Sequence, residues 1–201
     1  KRLIEGDSRV LGTLRDWQKQ IPSFVAWQLQ REASGWRYHN AEQKVGFDLH
    51  FADLDGEHRI IRIEGRADRF DVNIQNEGQS EVIDYKNQSM TKIKKRAEHV
   101  LDDPQLLIYA RAANEDPASA HLQGHQVDHA QWVSLKLDIK RDKKLMRSLE
   151  VEGVPELMPV FDRQITEDMQ NLWSRKEMTA FAPDGVCKYC EARGICRKGM
   201  W

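Results

Sequence analysis

Asp84 and Lys86 stand two positions apart in Val82-Ile83-Asp84-Tyr85-Lys86, and Asp68 ends the run Gly65-Arg66-Ala67-Asp68 a short loop upstream. If both runs are β-strands, the period of two puts Asp84 and Lys86 on one face. Carboxylate oxygens of this kind suit Mg²⁺ or Mn²⁺, which prefer carboxylates and water. A lysine beside such a cation can orient or activate a water and steady the charge that develops on a phosphate. The residue types therefore point to phosphodiester hydrolysis. An isolated Asp-x-Lys is more often a solvated strand face carrying a weak ion pair, so its neighbourhood has to decide.

That neighbourhood is ordered. Glu42 precedes a strand, Gly65-x-x-Asp68-Arg69-x-Asp71 comes at a strand end, Asp84-Tyr85-Lys86 follows, and Gln105-Leu-Leu-Ile-Tyr109 lies on a later helix. In this order the motifs resemble the RecB-type branch of the PD-(D/E)xK nuclease superfamily, over roughly residues 24 to 201. The resemblance implies a restriction-endonuclease-like core and a Mg²⁺- or Mn²⁺-dependent DNA exonuclease. It implies Asp68 and Asp84 as side-chain metal ligands, the Tyr85 carbonyl as a third, and Lys86 next to the attacking water. Glu42 takes the family's acidic position, where it binds metal directly or through water, or is a surface charge. Gln105 and Tyr109, at i and i+4, share a helical face, and in the family such a pair lines the cleft. Arg66 is the better phosphate candidate if β alternation holds, Arg69 points away, and Asp71 pairs with a neighbouring arginine.

One family feature is missing. The histidine of a Gly-x-x-x-His helix normally precedes the first strand, whereas the first histidine here is His39. The expectation is a fragment of a longer protein, most similar to AddB-type nuclease domains, acting on single-stranded DNA delivered by a helicase subunit or an upstream helicase-like region. No G-x-x-x-x-G-K-[ST] pattern occurs, so this chain does not itself carry that ATPase motif. A free-standing exonuclease of the CRISPR-adaptation type is the alternative with the same chemistry. A DNA-binding scaffold with the nuclease fold is the alternative without it.

The second motif is Cys187-Lys-Tyr-Cys190-Glu-Ala-Arg-Gly-Ile-Cys196, which holds all three cysteines of the chain. Thiolates at these spacings can curl round one soft metal centre. Iron–sulfur nucleases of the RecB type carry three cysteines like this at their C-terminal end and a fourth far upstream. The resemblance implies a [4Fe–4S] cluster in the full-length protein, with the fourth cysteine absent from this chain. Zinc with a different fourth ligand is the other possibility. The division expected is a nuclease core over 1–182 and a cysteine-rich tail over 183–201.

The elements that must position these residues read as an α/β (α+β) arrangement, a mixed sheet with an antiparallel meander flanked by helices. Leu11, Leu14, Trp17, Ile21, Phe24, Val25, Trp27 and Leu29 recur at near-helical spacing over 9–34, with Pro22 expected to break or restart the helix. From Val45 to Phe51 the period becomes two, and Asp53-Leu-Asp55-Gly56 supplies a turn into a second strand over 59–63. A third strand is expected near 67–74 and a fourth over 81–86, the four forming the meander. Pro104 opens a helix to about Asn114. A strand follows over 126–135, 136–160 is ambiguous, and a helix starts at Asp162 or Thr166 with Ile165, Met169, Leu172 and Trp173 as its stripe, ending at Pro183-Asp184-Gly185.

With 201 residues, 40% hydrophobic and 31% charged, the chain can bury one good core. Its net charge of −1 gives no global nucleic-acid signature. Locally, Lys86, Lys92, Lys94, Lys95 and Arg96 fall together with no acid between them. Lys92, Lys94 and Lys95 are therefore candidate phosphate contacts, or else a solvated loop. No 18-residue apolar run or signal-peptide core is present, and three cysteines do not make a disulfide framework, so no membrane partner and a cytoplasmic setting are expected.

Overall fold

The computed structural model describes residues 8–116, 120–122, 124–136, 146–174, 190 and 196. Helix α1 (Ser8–Ala33) runs through Pro22 without interruption. Pro22 is exposed, so its ring faces solvent and the lost backbone donor costs the helix one bond rather than its continuity. The apolar spacing on this helix merges two rows. Trp27 is buried and Phe24 packs beside it, whereas Ile21, Val25 and Leu29 (44%, 48% and 60% exposed) form an i, i+4, i+8 row that points away.

Strands β1 (Trp36–Ala52), β2 (His58–Asn73) and β3 (Gln79–Lys86) form an antiparallel meander. It has three strands rather than four, because the segments expected at 59–63 and 67–74 are one continuous β2. Gly65 reads as a terminator in sequence but lies inside that strand, where its missing side chain leaves room for a ring of a later helix. Chain reversal between β1 and β2 rests on Asp53, whose Oδ1 accepts the backbone N–H of Asp55 and Glu57, and on Gly56 at φ +81°.

After β3 the chain makes helices α2 (Met90–Ala97) and α3 (Gln105–Glu115) before β4 (Gln126–Ser134). β4 pairs parallel with β3, and β5 (Arg147–Glu150) adds antiparallel to β4, giving a mixed five-stranded sheet in the order β1-β2-β3-β4-β5. A parallel pair needs such a crossover. The basic segment is thus the helix α2, with Met90 and Ile93 buried beneath its lysines. Helix α4 (Val154–Trp173) starts well before Asp162. Pro155 falls in its first turn, where proline is tolerated, and Val154 and Phe161, not the expected stripe, are its buried residues. Leu172 and Trp173 are more than two-fifths exposed.

Helices cover both faces of the sheet. Ile83 and Val133 meet Trp27 of α1 and Met146 on one face. On the other, Leu106, Leu107, Ala110 and Ala113 of α3 are buried, and α3 lies against β3 and β4. Cα proximity divides the chain into two compact units, Lys1–Leu49 with Ile61–Arg163, and His50–Ile60 with Gln164–Trp201. Within the second, Arg59 pairs with Asp53 at 2.8 Å and lies over the ring of Trp173, which also meets Phe51 edge-on. Pro183-Asp184-Gly185 and the expected boundary at 183 lie outside the described residues. Among the described residues no helix is long and apolar enough to cross a membrane.

Candidate active site

The register between β2 and β3 determines the site. Arg69 stands opposite Ile83 and Phe70 opposite Val82, so one further step sets Asp68 opposite Asp84. Directly opposed residues project to the same side of a sheet, and the two carboxylates are close enough for Asp68 to push the Asp84 carboxyl upward. Oδ2 of Asp68 accepts the backbone N–H of Tyr85 at 2.8 Å. Asp84 is 2% exposed. Burial is the main reason its carboxyl lies above the usual aspartate range, with Lys86 and, more weakly, Arg96 opposing that shift.

Lys86 shares the face of Asp84, and its Nζ lies 2.7 Å from Oδ2 of Asp84. The same ammonium donates to Oε1 of Gln105 at 2.6 Å, and Nε2 of Gln105 donates to the Tyr109 hydroxyl at 2.9 Å. A single chain of polar contacts therefore runs from β3 into α3. Tyr109 is buried, and its ring occupies the space a Cβ at Gly65 would need, with Cε1 only 2.6 Å from that point. Gly65, part of the motif in sequence, is explained by this close approach.

These five side chains are brought together. Glu42 is exposed, at φ 53°, with a carboxylate oxygen 3.7 Å from Arg66. It does not join the two aspartates, since among the described residues no three His, Cys, Asp or Glu side chains gather where they could hold one ion. Arg66 is exposed and lines an open cleft of about 380 Å³ with Lys44, Arg62, Glu64 and the glycines Gly46 and Gly65. Lys92, Lys94 and Lys95 are exposed on α2. Arg96, on the same helix, donates to Gln88 and pairs with Asp103. Cys190 and Cys196 are free and exposed, and Cys187 lies outside the described residues.

The donor set fits a hard divalent cation. Two opposed carboxylates meet, and Oδ2 of buried Asp84 has no well-directed hydrogen bond, only the nearby ammonium of Lys86. A cation there would relieve both the like-charge repulsion and the burial that lift the Asp84 carboxyl.

The back face of the same strands carries a network of which only the pairing of Asp71 with a neighbouring arginine is expected from the sequence. Asp71, fully buried, accepts from Arg31 (3.1 and 2.8 Å) and from Arg69 (2.5 and 2.8 Å). Glu81 accepts from Arg31 at 2.5 Å and from Gln131 at 2.7 Å. Burial raises the Glu81 carboxyl against the pull of Arg31. Burial works against the charge of Arg69, yet its hydrogen bond and attraction to Asp71 hold the guanidinium above its usual value. Asp71 thus has two arginine partners, one of them forty positions away on α1. The available signal was Arg31, a basic residue in the last turn of α1.

The family model for the PD-(D/E)XK nuclease superfamily matches residues 4–197. No curated protein matches significantly. Among solved structures, a chain described as "Crystal structure of SSO0001" is similar at 18% identity and a TM-score of 0.45, covering 96% of this chain and 72% of that one.

Proposed function

The chain belongs to the PD-(D/E)XK nuclease superfamily, and from that premise we propose that it is a Mg²⁺- or Mn²⁺-dependent exonuclease that cuts single-stranded DNA as the nuclease part of a helicase–nuclease. Membership by itself implies a metal-dependent nuclease acting on DNA. The observation that supports the site assignment is the convergence of Asp68, Asp84 and Lys86 on one sheet face, with Lys86 held by both Asp84 and Gln105.

Asp68 and Asp84 would hold the cation, which supplies Lewis-acid activation of water and neutralisation of the scissile phosphate. Lys86 presents a fixed ammonium to the reacting phosphate, because Gln105 and Asp84 restrict it to one position. Tyr109 keeps the Gln105 amide oriented so that its oxygen, not its nitrogen, faces Lys86. The three exposed lysines of α2 and the cations of the cleft near Arg66 suit nonspecific contacts with a phosphate backbone. The cysteine spacing supports an iron–sulfur clasp, which iron content after anaerobic purification would test.

The experiment is a Mg²⁺/Mn²⁺ titration of cutting on end-labelled single- and double-stranded DNA, with Lys86→Ala beside the unaltered chain. The expected result is metal-dependent shortening from an end that Lys86→Ala abolishes, with DNA affinity kept. Equal cutting by the variant would overturn the site, and nicking of circular DNA would overturn the exonuclease reading. Binding without cutting by the unaltered chain would favour the scaffold alternative.

A further inference from the structure

Tyr85 lies between Asp84 and Lys86, and its side chain turns to the opposite face of the sheet. There its ring packs near Phe24 and Trp27 of α1, with centroids 6.3 and 6.4 Å away, and its hydroxyl accepts from Nη1 of Arg69 at 3.1 Å. Its backbone N–H donates to Oδ2 of Asp68. Asp68 and Arg69 are consecutive on β2, so this one residue of β3 holds both, one through each face of the sheet.

Arg69 is itself fixed. It is 4% exposed, bound to both oxygens of Asp71, and stacked between the rings of Trp27 and Tyr38 at 5.4 and 5.3 Å. A guanidinium held in this way cannot follow Tyr85 if β3 shifts, so the bond between them resists sliding of β3 against β2. That sliding is the motion that would separate Asp68 from Asp84.

We infer that the Tyr85 hydroxyl and Arg69 form a positioning pair, which acts from behind the sheet to hold Asp68 and Asp84 at the separation a divalent cation requires. The inference rests on the proposed metal site and deepens it. Neither residue touches the cation or the substrate through its side chain. Their influence is exerted through the backbone of β3 and the oriented carboxylate of Asp68, in the way that outer partners orient metal ligands elsewhere.

The test is Tyr85→Phe, which removes one oxygen and keeps the ring against Phe24 and Trp27, with Arg69→Lys as a second variant. Mn²⁺ affinity is measured by calorimetry without DNA, alongside the thermal midpoint in chelator and the Mg²⁺ dependence of cutting. The expected result is about tenfold weaker Mn²⁺ binding, at the low end of what outer-shell changes produce. The Mg²⁺ needed for half-maximal cutting should rise in step, with KM for DNA unchanged. A lowered midpoint with unaltered Mn²⁺ affinity in Tyr85→Phe would make the pair merely structural and overturn the inference, leaving the nuclease reading intact. An unaltered chain that neither binds Mn²⁺ nor cuts would instead overturn that reading, and the inference with it. If Arg69→Lys does not fold, Tyr85→Phe decides alone.

Discussion

Gly65→Ala tests the contact between β2 and α3 on which the Lys86 arrangement depends. A Cβ added there would lie 2.6 Å from Cε1 and 3.3 Å from Cδ1 of Tyr109. Carbon atoms rest at about 3.5–4.0 Å, so the ring must retreat by about 1 Å. Tyr109 is 8% exposed and cannot simply swing into solvent. Overpacking of this kind costs about 1–3 kcal/mol, which for a chain of this size is a fall of about 2–12 °C in thermal midpoint. The same retreat pulls on Gln105 and so on the ammonium of Lys86. Misplacing a catalytic group by about 1 Å can cost on the order of a hundredfold in rate. Thermal melts and single-turnover cutting at saturating DNA measure the two effects. In a Tyr109→Ala background the clash is gone, so the added methyl should cost less than about 0.5 kcal/mol. A Gly65→Ala protein with unaltered midpoint and rate would refute the reasoning, as would an equal penalty in both backgrounds.

Two further outcomes follow from the charges. Burial lifts the Asp84 carboxyl, so the native chain holds that proton more readily than the unfolded chain; stability from this group is present at low pH and is lost as pH rises from the ordinary aspartate value through the raised native one. Asp84→Asn should escape this loss, gaining on the unaltered protein across that window and keeping a constant lead above it, measured as midpoint against pH in chelator; a gap that shrinks with rising pH contradicts the assigned burial effect. Neutralising Lys92, Lys94 and Lys95 together should lower the log–log salt slope of single-stranded DNA binding by about 2, at about 0.7 for each phosphate no longer neutralised, and an unchanged slope would make these residues a solvated helix face.

What could be read in sequence was local. The shared faces of Asp84 with Lys86 and of Gln105 with Tyr109 were legible because their fixed spacings, two and four, decide them once strand and helix are assigned. The mixed sheet with flanking helices was legible from the order of elements, period-two strands from Val45 followed by a helix from Pro104 and a further strand over 126–135. Boundaries were lost where a residue with a local meaning was overruled by packing. Gly65 and Pro22 both read as breaks, yet Gly65 is kept in β2 by the ring of Tyr109 and Pro22 is carried through α1 on its exposed side. Helix α4 begins at Val154, within the stretch 136–160 that is ambiguous in sequence, with Pro155 in its opening turn and Pro159 inside it.

Beyond the pairing of Asp71 with a neighbouring arginine, the network behind the sheet was illegible for a different reason: its members come from four elements. Arg31 of α1, Arg69 and Asp71 of β2, Glu81 of β3 and Gln131 of β4 meet only after folding. Buried ionic groups of this kind add little net stability, since desolvation offsets attraction, but removing one partner is costly. Their consequence is geometric. Asp71 stands opposite Glu81 in the β2–β3 register, and Arg31 binds both, so a slip of the register by one residue would strand these charges without partners. The register that places Asp68 opposite Asp84 is therefore enforced from the far face of the same two strands. Helix α1 supplies Arg31 along with Phe24 and Trp27, and it belongs to the machinery of the site although it contributes no residue to the face where phosphate would be cut.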